Sequence, residues 1–287
     1  MKHPIVLLAI CTMLSSVLAA QSIHLLEPAS GYYAEMQDLD SKPNASRSEL
    51  DKISYPTGKV SGKQFIGLEP SYLSQDQVDQ LKSFVQYPAN SSDQTRAELD
   101  YLLNWQEKRT SAEKKRAMEI ARVGYWPPLK KDGDYGNVEA LFWECQEVMG
   151  SDCTVSQYPA TMHLLAGVTR DMRIMEFTVK FHLMRPRPYH LEPKLDPMGR
   201  VSNPSFASGH TLWAYIQAFT FSELIPNKRK DFLDIAFEVG ESREIMGIHY
   251  PSDEEAARIL AHRMLVLMSE NPEFRQDMEA AKKEWSS

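Results

Sequence analysis

An all-α architecture, folded as a single compact helical domain, is predicted by three observations on this 287-residue sequence. Apolar residues recur at helical spacing from about Ser74 to Trp285, the pattern of amphipathic helices packed on one core. Strand-like alternation of apolar and polar residues is scarce. The periodic stretches stop at prolines, as in Trp126-Pro127-Pro128 and Arg185-Pro186-Arg187-Pro188, where the residue before each proline is driven out of the helical basin. No internal repeat, low-complexity tract or long Gly/Ser linker divides the chain, so one domain is expected.

Taken in order, residues 1–20 read as a secretory signal peptide. Lys2 supplies the positive start, Ile5 to Leu18 the apolar run, and Val17-Leu18-Ala19-Ala20 the small-residue cleavage site. The apolar run is short for a membrane span and is interrupted by Cys11, Thr12, Ser15 and Ser16. No later stretch is long and apolar enough to cross a bilayer, which predicts a soluble protein that is periplasmic or secreted. Residues 21–70 are polar, with scattered Gly and Pro and no sustained period, and read as an irregular arm over the surface of a helical domain at 71–287.

Within that domain Val78, Leu81 and Val85 lie on one stripe after Ser74. A long helix from about Thr95 to Val123 is expected to carry Leu99, Leu102, Leu103, Trp105, Met118 and Ile120. Further helices are expected at about Val138–Met149, Pro159–Met184, Thr211–Leu224, Lys230–Ile248, Ser252–Ser269 and Pro272–Trp285. Removing residues 1–20 takes away Lys2 and no acid, leaving 31 basic and 39 acidic side chains and a net charge of −8. That balance argues against nucleic acid or an anionic membrane as the general partner. Cys145 and Cys153 could form a bridge across the Met149–Asp152 turn or stay as buried thiols, and no zinc-ligand spacing accompanies them.

The chemistry is concentrated in Ser242-Arg243-Glu244-Ile245-Met246-Gly247-Ile248-His249-Tyr250-Pro251-Ser252-Asp253. His249 and Asp253 are four apart, close enough to meet on a first helical turn, and Pro251 suits the opening position of that helix. A carboxylate on one imidazole nitrogen fixes the tautomer and leaves the other nitrogen with its lone pair. Arg243 offers a planar fork for an anion. Taken alone, a His-x3-Asp pair is more often a surface hydrogen bond or a cap. Two upstream stretches change that weighing. Lys180 and Arg187 stand seven apart where a helix must end; in isolation they would read as a basic C-terminus answering the helix dipole. Ser208-Gly209-His210 opens an apolar helical run. Free backbone N–H groups there suit an anion, Gly209 lets it approach, Ser208 adds a hydroxyl, and His210 stands beside it as a proton donor. The plain alternative is an ordinary serine cap.

Together the stretches read Lys-x6-Arg-Pro, Ser-Gly-His and Ser-Arg-x5-His-x3-Asp. At roughly 5% per residue type the last pattern alone is expected about 0.002 times in such a chain. The set resembles the three-part signature shared by type 2 phosphatidic acid phosphatases, bacterial class A non-specific acid phosphatases and vanadium haloperoxidases, and most resembles the class A phosphatases. That resemblance implies an acid phosphatase of the all-helical acid phosphatase/haloperoxidase type, acting on phosphate monoesters without metal or other cofactor, as a homodimer. It implies His249 as nucleophile, Asp253 as its orienting acid, His210 as general acid, and Lys180, Arg187, Arg243, Ser208 and the Gly209 N–H as phosphate ligands. The family usually has proline where this chain has Ala207, which predicts a looser turn. Arg185 lies outside the signature and is expected to matter far less than Arg187. The rival expectations are a vanadium-dependent haloperoxidase and a non-catalytic phosphate-binding protein.

Overall fold

Helices form all the regular structure in the computed structural model, which describes Ile23 and residues 25–29, 31–58, 60–131 and 133–286. The expected signal segment, residues 1–20, lies outside the described residues. In chain order the α-helices are α1 (Gly31–Met36), α2 (Gln75–Leu81), α3 (Asp93–Lys108), α4 (Ser111–Ile120), α5 (Trp143–Met149), α6 (Pro159–Leu183), α7 (Pro188–Leu191), α8 (Gly209–Leu224), α9 (Arg229–Ile245), α10 (Pro251–Met268) and α11 (Pro272–Glu284).

The centre is α8. Its sequence, Gly-His-Thr-Leu-Trp-Ala-Tyr-Ile-Gln-Ala-Phe-Thr-Phe-Ser-Glu-Leu, is apolar all round, and a helix of that kind must be covered on every side. Every residue of it except His210 is buried, and α6, α9 and α10 pack around it. Each fully buried Leu, Ile or Phe contributes about 1.5–3 kcal/mol of transfer free energy, so Leu212, Ile216, Phe219 and Phe221 make α8 the anchor of the bundle. The one side chain left at its rim is a histidine at its N-terminus.

α6 begins with Pro159 at its first turn and ends at Leu183, because Arg185 precedes Pro186; Met184 takes the left-handed conformation at φ 52° to turn the chain out. α10 likewise starts on Pro251. The single helix expected from about Thr95 to Val123 is instead two, α3 and α4, broken at Arg109-Thr110. Thr110 accepts from the Glu113 N–H while the Glu113 carboxylate takes the Thr110 N–H. This reciprocal capping box starts a new helix where the apolar period alone runs on. Cys145 and Cys153 are joined by a disulfide across the end of α5, where Gly150 turns at φ 97°.

The segment expected to be irregular holds α1 and two 3-10 turns, Ala45–Lys52 and Lys63–Phe65. It is stitched to the bundle by polar contacts. The Tyr55 N–H donates to Met184 O and its hydroxyl to Val201 O, both at 2.8 Å. The Ser61 N–H donates to Ser202 O at 2.8 Å. Asp171, buried in α6, accepts the N–H groups of Ser71, Tyr72 and Leu73 at 2.5, 2.8 and 2.7 Å.

The cap at Thr110 generates the first prediction. Thr110→Ala is expected to lower stability by about 1 kcal/mol, the usual loss for removing a threonine cap, read as a shifted urea midpoint with unchanged slope. An unchanged midpoint would show that the break between α3 and α4 is held by other contacts.

Candidate active site

His249 sits in the short link between α9 and α10, after a turn at Gly247 with φ 70° and just before the first turn of α10. The helix start presents the Asp253 carboxylate, as the i, i+4 spacing requires: His249 Nδ1 lies 3.0 Å from Asp253 Oδ2. That carboxylate is fully buried. It also accepts the Tyr250 N–H at 3.1 Å, the Ser205 hydroxyl at 2.5 Å and Arg185 Nη1 at 2.7 Å. Burial alone would raise its pKa, but Arg185, His249 and Ser205 outweigh burial and hold the carboxyl well below the usual carboxylate range.

The other imidazole nitrogen, Nε2, lies 2.8 Å from Arg187 Nη1. A guanidinium only donates, so Nε2 carries the lone pair, and the ring proton is on Nδ1 towards Asp253. Burial and Arg187 push the His249 pKa well below its ordinary value despite the opposing pull of Asp253. The imidazole is therefore neutral and aimed, with its basic nitrogen towards the cations.

Those cations come from the end of α6 and the chain that follows it. Lys180 is buried, and Nζ donates to Pro204 O at 2.8 Å and Ser205 O at 3.0 Å. Burial and Arg187 bring its pKa down to about 7. Arg187 is fixed from three sides, by Asn203 O and Oδ1, Pro204 O and Ile248 O. Across the cleft, His210 stands on the first turn of α8. Its Nδ1 is 3.1 Å from the Tyr125 hydroxyl, and Tyr125 is itself stacked on Trp213. His210 Nε2 is buried and has no partner among the described residues. Burial, Arg243 and Arg173 push its pKa well below the ordinary value.

Lys180, Arg187, Gly209, His210 and His249 thus line one cleft of about 280 Å³, whose walls also include Tyr125, Trp126, Arg173, Glu176, Phe177 and Asn203. Asp253 stands behind His249. Two of the expected ligands are near but turned elsewhere. Ser208 gives its hydroxyl to Thr211 Oγ1 at 3.1 Å and makes no cap bond. Arg243, buried and brought down to about 10 by burial, donates to Ala117 O and to the Ser242 hydroxyl, each at 3.0 Å. At the turn before α8, Phe206, Ala207 and Ser208 are all buried.

The main correction concerns Arg185. It is fully buried, donates to Asp253 and to Ser252 Oγ, and reaches Glu98 at 3.2 Å; its guanidinium lies 3.7 Å from the Tyr250 ring centre. Glu98 in turn accepts the Ser252 N–H at 2.8 Å. Arg185 was expected to matter far less than Arg187; the structure instead makes it the cation that fixes the acid behind His249. Its neighbouring proline was a legible signal for a turn but not for this contact, and Glu98 and Tyr125 carry no motif at all.

Fold and cleft together define a helical protein that turns two histidines and a set of buried cations onto one cleft. Residues 160–276 match the model of the PAP2 superfamily, and the chain is similar to bacterial non-specific acid phosphatases. It is 31% identical over 164 residues to the non-specific acid phosphatase of Providencia stuartii, covering 54% of this chain and 65% of that protein. The acid phosphatase of Zymomonas mobilis subsp. mobilis is 29% identical, with 55% and 62% covered. The chain thus spans a little under two thirds of the length of these relatives. A bacterial vanadium-dependent iodoperoxidase shares the fold, with a TM-score of 0.53 at 14% identity over 83% of this chain and 63% of that one. No described helix is long and apolar enough to cross a membrane.

Arg185→Ala is expected to cost about 3–5 kcal/mol, because it strands Glu98 and Asp253 as buried unpaired charges. A loss below about 1 kcal/mol in urea unfolding would show that the two carboxylates are satisfied without it.

Proposed function

We propose that the protein is an exported acid phosphatase that hydrolyses phosphate monoesters through a phosphohistidine on His249, with no metal ion. The observation that carries this reading is the orientation of His249: Nδ1 is held by Asp253, and Nε2 faces the cleft among Arg187, Lys180 and His210. Homology to acid phosphatases supports the activity. The Cys145–Cys153 disulfide and the signal-like first twenty residues support export, since such bonds persist in oxidising compartments.

In the first step the Nε2 lone pair attacks phosphorus, the bond to the ester oxygen breaks, and His210 passes a proton to the departing alkoxide. In the second, a water that gives its proton to His210 attacks phosphorus, the N–P bond breaks and inorganic phosphate leaves. Burial and Arg243 hold His210 neutral in the free protein; the negative charge of bound phosphate reverses that bias and draws a proton onto the ring. Lys180, Arg187 and, after turning from Ala117, Arg243 balance the charge on the phosphoryl oxygens. Phosphoryl transfer needs little more than such positioning and charge.

The defining assay is turnover of a panel of monoesters with EDTA present. His249→Ala is expected to abolish turnover of every substrate. His210→Ala is expected to slow alkyl phosphates by about a hundredfold or more and aryl phosphates much less, because an acidic alcohol leaves without a proton. Equal losses on both classes, or activity that EDTA removes and zinc or magnesium restores, would overturn the scheme.

Lys180 gives the anion site its own pH dependence. Above about pH 7 the free protein has lost the Lys180 proton, so an anion that needs the ammonium must bind together with a proton. Inhibition by sulfate, whose charge is constant over this range, is expected to weaken as pH rises through about 7, by up to tenfold per unit. A sulfate inhibition constant flat from pH 6 to 9 would place Lys180 outside the anion site.

A further inference from the structure

Gly209 opens α8 onto the cleft, and the room left by its missing side chain is already filled. A methyl group there would stand 2.1 Å from Glu176 Oε1 and 2.5 Å from its carboxyl carbon. Glu176 belongs to α6, one turn before Lys180, and is 4% exposed. It lines the same cleft as Lys180, Arg187 and His249. Its other oxygen pairs with Arg173 Nη1 at 2.5 Å. Arg173 is 2% exposed, lies 3.6 Å from the ring centre of Trp126, and its Nε has no partner among the described residues.

A carboxylate resembles one face of a phosphate, with two oxygens sharing negative charge. The surroundings of Glu176 suit any such anion. The first turn of α8 receives no cap from Ser208, so its N–H groups and the helix dipole favour negative charge at Gly209. Lys180 and Arg187 spend their hydrogen bonds on carbonyls, an amide oxygen and an imidazole, which leaves their charge to be balanced by neighbours. A buried set of cations without a counter-charge is costly; Glu176 offsets it.

We infer that Glu176 is a built-in competitor for the anion site: in the free protein its carboxylate holds the position beside Gly209, and it withdraws with Arg173 as its anchor when phosphate seats there. It therefore caps the affinity for inorganic phosphate and favours product departure. The inference rests on reading the cleft as a phosphate site, and it adds a residue outside the three-part signature.

The test is calorimetric titration of the full protein with inorganic phosphate at fixed pH, which does not depend on turnover. Glu176→Gln is expected to bind phosphate at least about tenfold more tightly than the native protein, the direction set by removing a like charge at contact distance. Glu176→Asp keeps the negative charge but draws the carboxylate back by one carbon, and is expected to tighten binding by a smaller factor. It decides the matter if Glu176→Gln does not fold. Unchanged or weaker binding in the folded variants overturns the inference, as does failure of native and variant proteins alike to bind phosphate. Tighter binding in a protein that hydrolyses no monoester keeps the inference and removes the catalytic scheme instead.

Discussion

The structure depends on keeping one carboxylate, Asp253, ionised in a place without water. A buried carboxylate left to itself takes up a proton, and a protonated Asp253 would no longer hold the Nδ1 proton of His249. Four donors from three segments prevent this: the His249 ring and the Tyr250 N–H, the Ser205 hydroxyl, and the Arg185 guanidinium. Through Arg185 the constraint reaches Glu98 on α3, and through Glu98 it returns to the first turn of α10 at Ser252. The ends of α6, α9 and α10 and the loop before α8 are thereby set relative to one another by a single charge.

How much of this was legible in the sequence follows from distance along the chain. His249 and Asp253 meet because they are four apart at a helix start marked by Pro251, a relation that spacing alone predicts. Lys180 and Arg187 are bound to the same short stretch by the prolines after them. The helix that became α8 was readable from its unbroken apolar run, and Gly209 from its place at the opening. Arg185 and Asp253 are 68 residues apart and Glu98 and Ser252 are 154 apart, and nothing local in either partner announces the other. Between these extremes stands Thr110: its Thr-x-x-Glu box is a local signal for a new helix start, but the apolar period continues across it and by itself predicts one unbroken helix. Ser208 and Arg243 stand out in the sequence by their spacing to His210 and His249, yet the direction of each side chain depends on Thr211 and Ala117, which no spacing rule supplies.

The cleft is also unusual in its supply of charge and aromatic surface at one spot. Arg173 lies over Trp126 and near Tyr125 and Phe177, while the hydroxyl of Tyr125 orients His210. The loop after α4 therefore serves two purposes at once, restraining a cation on one side and fixing an imidazole on the other. Two interactions that share one loop are coupled, so changes at Tyr125 and Trp126 will not act additively on Arg173 and His210.

The arm contributes a wall to this cleft, and the order of synthesis bears on it. Tyr55, Ser61 and Ser71 to Leu73 leave the ribosome first, whereas the groups that receive their hydrogen bonds, Asp171, Met184, Val201 and Ser202, lie about 100 to 146 residues further on. The extended backbone of the arm must stay solvated until α6 and the loop before α8 have been made. Closing loops of that length also carries a larger entropic cost than forming the contacts within α9 and α10. His249 and Asp253, joined across four residues, need no such long closure for their own spacing, whereas Ser61, the arm's contribution to the cleft wall, reaches its place only when that closure is complete.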